Sequence, residues 1–232
     1  VSHPWDLEPS EAISLQRSLA EDVIREPTFE EVRVVGGVDA SYKAGIARGA
    51  VVSLSYPDLE ILDYAAETRP IDYPYVPGLL SFREAPAVLE AFRALDVVPG
   101  MLIFDAHGIA HPRRLGLASH VGLWLDRPSI GCAKRKLCGT YEDPGPERGD
   151  HTYLKDENEI IGAVVRTRTN VKPVFVSIGH RIDLPTAIEY VLACGGGYKL
   201  PEPTRWADKI AGGARPPATQ GSMAQRRINP PK

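Results

Sequence analysis

The residues best placed to do chemistry lie in Met101–His120, MLIFDAHGIAHPRRLGLASH. Asp105, His107 and His111 put an oxygen ligand and two imidazoles close together, with Arg113 and Arg114 beside them. Any one of them alone is ordinary loop chemistry. Together, at the carboxyl end of the apolar run Met101–Phe104, they point to a site that holds a metal and an anion, because ligand sites form outside the strand ends of open α/β sheets. A second carboxylate, Asp39, sits in the β-branched run VRVVGGVDASY, where burial is costly unless the charge is paired or bound to a metal. Glu84 could join them as a third acid. Its bland alternative is a surface carboxylate in the first turn of a helix. Clustered acids repel one another unless a hard cation such as Mg²⁺ or Mn²⁺ sits among them, and Mg²⁺ commonly shares its site with phosphate oxygens. Lys134, at the end of the next strand-like run, would then offset negative charge developing on a phosphate.

The elements that must position these residues are legible from pattern. Pro9-Ser10-Glu11 opens a helix with Ser10 as its cap, ended by Pro27. Val32–Tyr42, Ala47–Tyr56 and Ile61–Thr68 read as an antiparallel meander, with Gly36-Gly37 marking a bulge or a close backbone approach. YPYVPG (Tyr73–Gly78) is a rigid turn. Leu80–Leu95 reads as a helix with Pro86 near its beginning, where proline costs least. Leu115–Leu125 reads as a short helix, Ser129–Lys134 as a strand and residues 139–158 as a polar loop. Ile160–Arg166 and Val174–Ile178 are further strands, the second edge-like, and Leu184–Ala193 and Pro203–Ala211 are helices. A meander feeding a βαβ unit predicts an α/β fold: a mixed sheet, antiparallel strands plus parallel ones, flanked by helices. Residues 1–211 are expected to form one domain, and 212–232 a disordered basic tail.

Composition narrows the class. The 232 residues are 43% apolar and 25% charged with net charge −3, an ordinary globular balance. Local basic clusters, Arg113/Arg114 and Lys134/Arg135/Lys136 among them, still allow a polyanion to be attracted. Three cysteines without C-x-x-C spacing argue against a disulfide framework and fit a reducing, cytoplasmic setting. No apolar run is long enough to span a bilayer. A monomer without membrane association is expected.

The segments VGGVDASY, PYVPGLLSFREAPAVLEAF, DAHGIAHPRRLGLASHVG, IGCAKRKLCG, PVFVSIGHRIDLPTA and LPEPTRWAD resemble, in order, the motifs of the endonuclease V family. The resemblance covers roughly residues 30–210. It implies a ribonuclease H-like fold and Mg²⁺-dependent phosphodiester hydrolysis, with Mn²⁺ a substitute. The implied substrate is DNA containing deoxyinosine. The implied cut is at the second phosphodiester on the 3′ side of the lesion, leaving 3′-hydroxyl and 5′-phosphate. Carried onto this chain, Asp39 and Asp105 are the principal metal ligands, Glu84 the supporting acid and Asp208 a further acid near the metal. His111 and Lys134 act around the scissile phosphate. Tyr75, followed by Pro77, is the wedge that fills the gap left by an extruded base. Its plain alternative is a tyrosine packing a proline turn. Backbone near Ala106, Gly131 and Leu137 forms the base pocket.

The chain departs from the family pattern at Ala106, where glycine is usual. The methyl is expected to intrude on the base, and to strain the backbone if φ there is positive. Ile178 and Arg135 are smaller departures. Two alternatives stay open: an endoribonuclease acting on inosine-containing single-stranded RNA, and a lesion-binding protein with weak cleavage.

Overall fold

The computed structural model describes residues 2–216. The tail expected over 212–232 therefore lies mostly outside the described residues. Its first residues finish the last helix, Ala214 N–H donating to the Lys209 carbonyl at 2.9 Å.

One mixed sheet of eight strands organises the described chain, in the order β3-β2-β1-β4-β5-β8-β7-β6. The meander is β1 (Val34–Lys43), β2 (Ile46–Ser55) and β3 (Ile61–Pro70), paired antiparallel. Helix α1 (Pro9–Ala20) precedes it, and α2 (Leu80–Arg93) leads on to β4 (Met101–Phe104). Strand β4 pairs parallel with β1 on one side and with β5 (Ser129–Ala133) on the other, α3 (Leu117–Leu125) making the crossover. The remaining strands β6 (His151–Asp156), β7 (Glu159–Val165) and β8 (Val174–His180) are antiparallel, and α4 (Leu184–Ala193) and α5 (Glu202–Ala211) follow. This is the expected ribonuclease H-like arrangement: a meander joined to parallel strands, with helices on both faces.

Strand alternation divides the core. Leu102 and Phe104 pack with Val38, Val51 and the apolar positions of α2, while Met101 and Ile103 pack with Val35, Ala50, Val52 and the apolar residues of α4 and α5. Buried on both faces, β4 has to be a continuous apolar run.

Four local expectations are corrected. The first helix is capped by Glu8, whose N–H donates to the Glu11 carboxylate at 3.3 Å, so Ser10 lies inside it. Pro86 lies inside α2 rather than in its first turn. The segment expected as a loop over 139–158 contains β6, and Thr140 bridges to Lys155 beside it. Polar residues hid this strand because only Leu154 within it is buried. Strand β8 is fully buried between β5 and β7 rather than edge-like.

Gly36-Gly37 is a close approach and not a bulge, since the register with β2 runs unbroken through both. A Cβ on Gly37 would lie 1.8 Å from the Pro203 carbonyl oxygen, so the start of α5 rests directly on the β1 backbone.

Candidate active site

The register of two parallel strands assembles the acids. Val38 is level with Phe104, so Asp39 and Asp105 come one step later, side by side. Both alternate away from the Val38/Phe104 face, toward the side on which α5 packs and brings Asp208. Ligand oxygens of Asp39, Asp105 and Asp208 all lie within 4.8 Å of one another. Burial pushes the Asp39 carboxyl up to about 8, with the Asp105 charge adding to it. Burial also raises Asp105, against the pull of Lys134. Lys134, just past β5, donates from Nζ to Asp105 Oδ2 at 2.6 Å and to Asp208 Oδ1 at 2.9 Å. Burial opposes its charge, but those two carboxylates outweigh the burial and hold the ammonium above the usual lysine range. Three carboxylates this close, short of countercharge, form a hard-oxygen donor set that fits a Mg²⁺-like cation.

Glu84 comes from α2 on the other face and is not within that trio. It is 5% exposed, so the surface alternative is excluded. Its Oε1 accepts from the Tyr42 hydroxyl at 2.5 Å, and burial lifts its carboxyl to about 7. It stands behind the trio as a buried acid whose charge still acts on Asp39 and Asp105.

Neither imidazole joins the carboxylates among the described residues. His107 Nε2 donates to the Arg135 carbonyl at 2.9 Å, and burial holds the ring near 4, hence neutral. His111 is 3% exposed with both nitrogens engaged. Nε2 donates to the Gly78 carbonyl at 3.0 Å and Nδ1 accepts from the Arg113 N–H at 3.1 Å. Burial first, then Arg113, lowers its pKa to about 4.

Beside Asp105 and Lys134 opens a cavity of about 470 Å³. Tyr75, Ala106, His111 and Leu137 line it, whereas Pro77 and Gly131 do not. Pro77 is exposed on the neighbouring turn. Gly131 lies beneath the wall: a Cβ there would be 2.4 Å from Gly108 N and 2.7 Å from Ala106 O. Tyr75 is 74% exposed with the Arg83 guanidinium 5.5 Å from its ring centre, so it is no packed turn residue. Ala106 does not have positive φ, and it is 8% exposed in the cluster with Leu117 and Ala118. The expected backbone strain is absent.

One residue of this cavity carried no signal in sequence. Gln16, on α1, is 1% exposed and contributes to the wall. Its partners are 62 to 99 positions away along the chain, beyond the reach of any local pattern.

The chain that carries these acids, the lysine and the adjoining cavity is similar over most of its length to known proteins. The Endonuclease V family model matches residues 17–209. An endonuclease V of Roseiflexus sp. (strain RS-1) is 52% identical over 214 residues, 92% of this chain and 96% of its own. The crystal structure of endonuclease V from Streptomyces avermitilis superposes with a TM-score of 0.86 at 40% identity, covering 91% of this chain and 94% of its own. Ciona intestinalis endonuclease V, solved in complex with a 23mer DNA containing an inosine followed by a ribo-adenosine, matches with a TM-score of 0.77 and 29% identity, covering 87% and 94%. From a match of this length and identity, this chain belongs to the endonuclease V family.

Proposed function

We propose that this chain is a metal-dependent endonuclease that recognises deoxyinosine in DNA and hydrolyses the second phosphodiester bond 3′ to it, leaving 3′-hydroxyl and 5′-phosphate. The observation that carries the reading is the trio Asp39, Asp105 and Asp208 next to a cavity of about 470 Å³, roomy enough to admit a nucleobase. Mg²⁺ is the proposed cation, with Mn²⁺ able to replace it. Asp39, Asp105 and Asp208 would hold it and Glu84 would support them. Bound there, such a cation activates water and neutralises charge on the phosphate.

The chain's own groups do the rest. Lys134 keeps its proton and presents positive charge beside the phosphate. Tyr75 stands exposed at the cavity mouth, where an aromatic ring can occupy the gap left by an unstacked base. Ala106 and Leu137 offer apolar walls to the extruded base. His111 is assigned to the floor of this pocket, and its effect on the phosphate is exerted through the loop it holds. The setting is proposed to be the cytoplasm, in keeping with the three free cysteines.

A second reading, cleavage of inosine-containing RNA, is favoured by one observation: the Ciona relative was crystallised with a ribonucleotide next to the inosine. A nicking assay separates the two. Labelled deoxyinosine duplex, guanine control and inosine RNA are each incubated with Mg²⁺ or EDTA. A Mg²⁺-dependent nick one nucleotide beyond the deoxyinosine supports the proposal. Cutting of RNA alone supports the second reading, and no cutting by folded protein refutes both.

A further inference from the structure

Among the segments that line the cavity beside the acids, besides α2, the start of α3 and the stretch from Ala133 to Leu137, are two irregular walls from separate parts of the chain. One is the turn ending at Gly78, which carries Tyr75, and the other is the loop from Asp105 to Leu115. Neither wall has regular secondary structure of its own across the gap. Something must fix their separation, because a pocket that holds a base by shape loses discrimination when it widens.

Gln16 reaches both walls from α1. Its Nε2 donates to the Gly78 carbonyl at 3.0 Å and to the Leu115 carbonyl at 3.1 Å. Its Oε1 accepts from Arg113 Nε at 2.6 Å. This network fixes the amide orientation, since the flipped form would set an oxygen against two carbonyls and a nitrogen against a guanidinium. His111 bonds the same Gly78 carbonyl, so that oxygen receives one donor from α1 and one from the opposite loop. Both amide hydrogens and the amide oxygen are thereby used, in a site closed to water.

We propose that Gln16 is a specificity-determining positioning residue: it ties the Tyr75–Gly78 turn to the Asp105–Leu115 loop and so sets the width of the base cavity. The inference rests on the proposed function for its substrate, and on the hydrogen bonds alone for its geometry. Gln16 has no partner in the acid trio, so its loss is felt in binding and selectivity before chemistry.

The test uses the full chain with Gln16→Met, which keeps the volume and removes all three hydrogen bonds. Gln16→Glu is the second variant, keeping the acceptor for Arg113 but turning both donors into an oxygen facing two carbonyls. Two readouts are taken: steady-state nicking of deoxyinosine and guanine duplexes, and amide hydrogen exchange over residues 74–80. For Gln16→Met, KM is expected to rise about tenfold and the inosine-to-guanine ratio to fall about tenfold, with kcat within about threefold. Exchange over 74–80 should quicken in both variants. A merely structural residue would lower the melting temperature without changing the selectivity ratio. Folded variants with wild-type exchange at 74–80 and an unchanged ratio overturn the inference. If wild-type protein cuts no inosine substrate, the proposed function falls, and the exchange measurement alone decides whether Gln16 positions the turn.

Discussion

Two polar regions lie close together in this molecule and are built on opposite principles. In the acid trio, like charges are brought within 4.8 Å, and burial holds the Asp39 carboxyl near 8. In the knot of Gln16, Gly78, His111 and Arg113, neutral groups and one guanidinium are matched donor to acceptor. The trio holds three carboxylates against the single ammonium of Lys134, so part of its repulsion stays unanswered within the chain. The knot draws its partners from the protein itself, with Arg113 Nη2 alone left buried and unpaired among its described atoms, and it raises stability. A site can therefore be sorted by asking which polar groups satisfy one another and which do not.

That contrast is sharpest at Asp105. Asp105→Asn should reduce nicking by about a thousandfold, the equivalent of about 4 kcal/mol of metal-assisted transition-state stabilisation. The same variant should melt close to wild type, since it relieves repulsion within the trio while weakening the ion pair to Lys134. A large drop in melting temperature would place Asp105 with the knot instead. Adding Mg²⁺ should raise the wild-type melting temperature and leave that of Asp105→Asn unchanged.

His111→Ala should behave in the opposite way. It removes a buried ring and two hydrogen bonds, and about 3 kcal/mol of stability should disappear in a urea melt. Cutting per folded molecule should fall far less than in Asp105→Asn. Equal losses of activity in the two variants would put His111 back among the groups that act directly on the phosphate.

Tyr75 belongs to neither class, being exposed and bonded to nothing that holds the fold. Tyr75→Ala should weaken binding of a deoxyinosine duplex in EDTA about tenfold, the scale of one base–aromatic stack, with an unchanged melting temperature. Binding by fluorescence anisotropy checks this, and a fall in stability would revive the packed-turn alternative.

The satisfied class also makes a prediction in acid. His120 on α3 is fully buried, with Nδ1 against Ser81 Oγ and Nε2 against His3 Nε2. Burial, then the His3 charge, depresses its pKa to about 3. Below pH 6.5 the unfolded chain takes up a proton there that the folded chain refuses. Stability contributed by the neutral ring is present above that pH and is lost progressively down to about 3. Each unit of acidification in this window should cost up to about 1.4 kcal/mol from this group. Urea midpoints compared at pH 7 and 5.5 read it, and His120→Asn should flatten the slope.

Ala106→Gly should have the smallest effect. With the methyl inside an apolar cluster and no positive φ to relieve, glycine should lower stability by about 1 kcal/mol or less. Inosine selectivity should stay within about twofold. A large gain in selectivity would mean that the methyl does obstruct the base.

Legibility in sequence followed the range of the interactions. The strand carrying Asp39, the run ending at Asp105 and the meander were readable because alternation and apolar runs are local. The pairing of those two acids was readable only as a consequence of topology, which the spacing of three strands, a helix and a fourth strand made plausible. Asp208 was invisible to pattern, since on its helix it is an ordinary polar residue, and only the family motif singled it out. The backbone strain expected at Ala106 was wrong because residue type does not reveal φ, which is not positive there. Strand β6 went unread because an edge strand needs only one buried side chain, and Gln16 because a hydrogen bond 97 residues long leaves no local trace.

The seating of α5 on Gly37 has a consequence for the order in which the protein is made. Helix α5 is the last described helix, so a growing chain carries Asp39, Glu84 and Asp105 well before the ribosome reaches Asp208. The site closes only when residues 202–211 emerge and lie down on the bare backbone of the first strand. A polypeptide cut short before residue 202 thus has two neighbouring acids of this cluster instead of three, and the trio exists only once translation has delivered the last described helix.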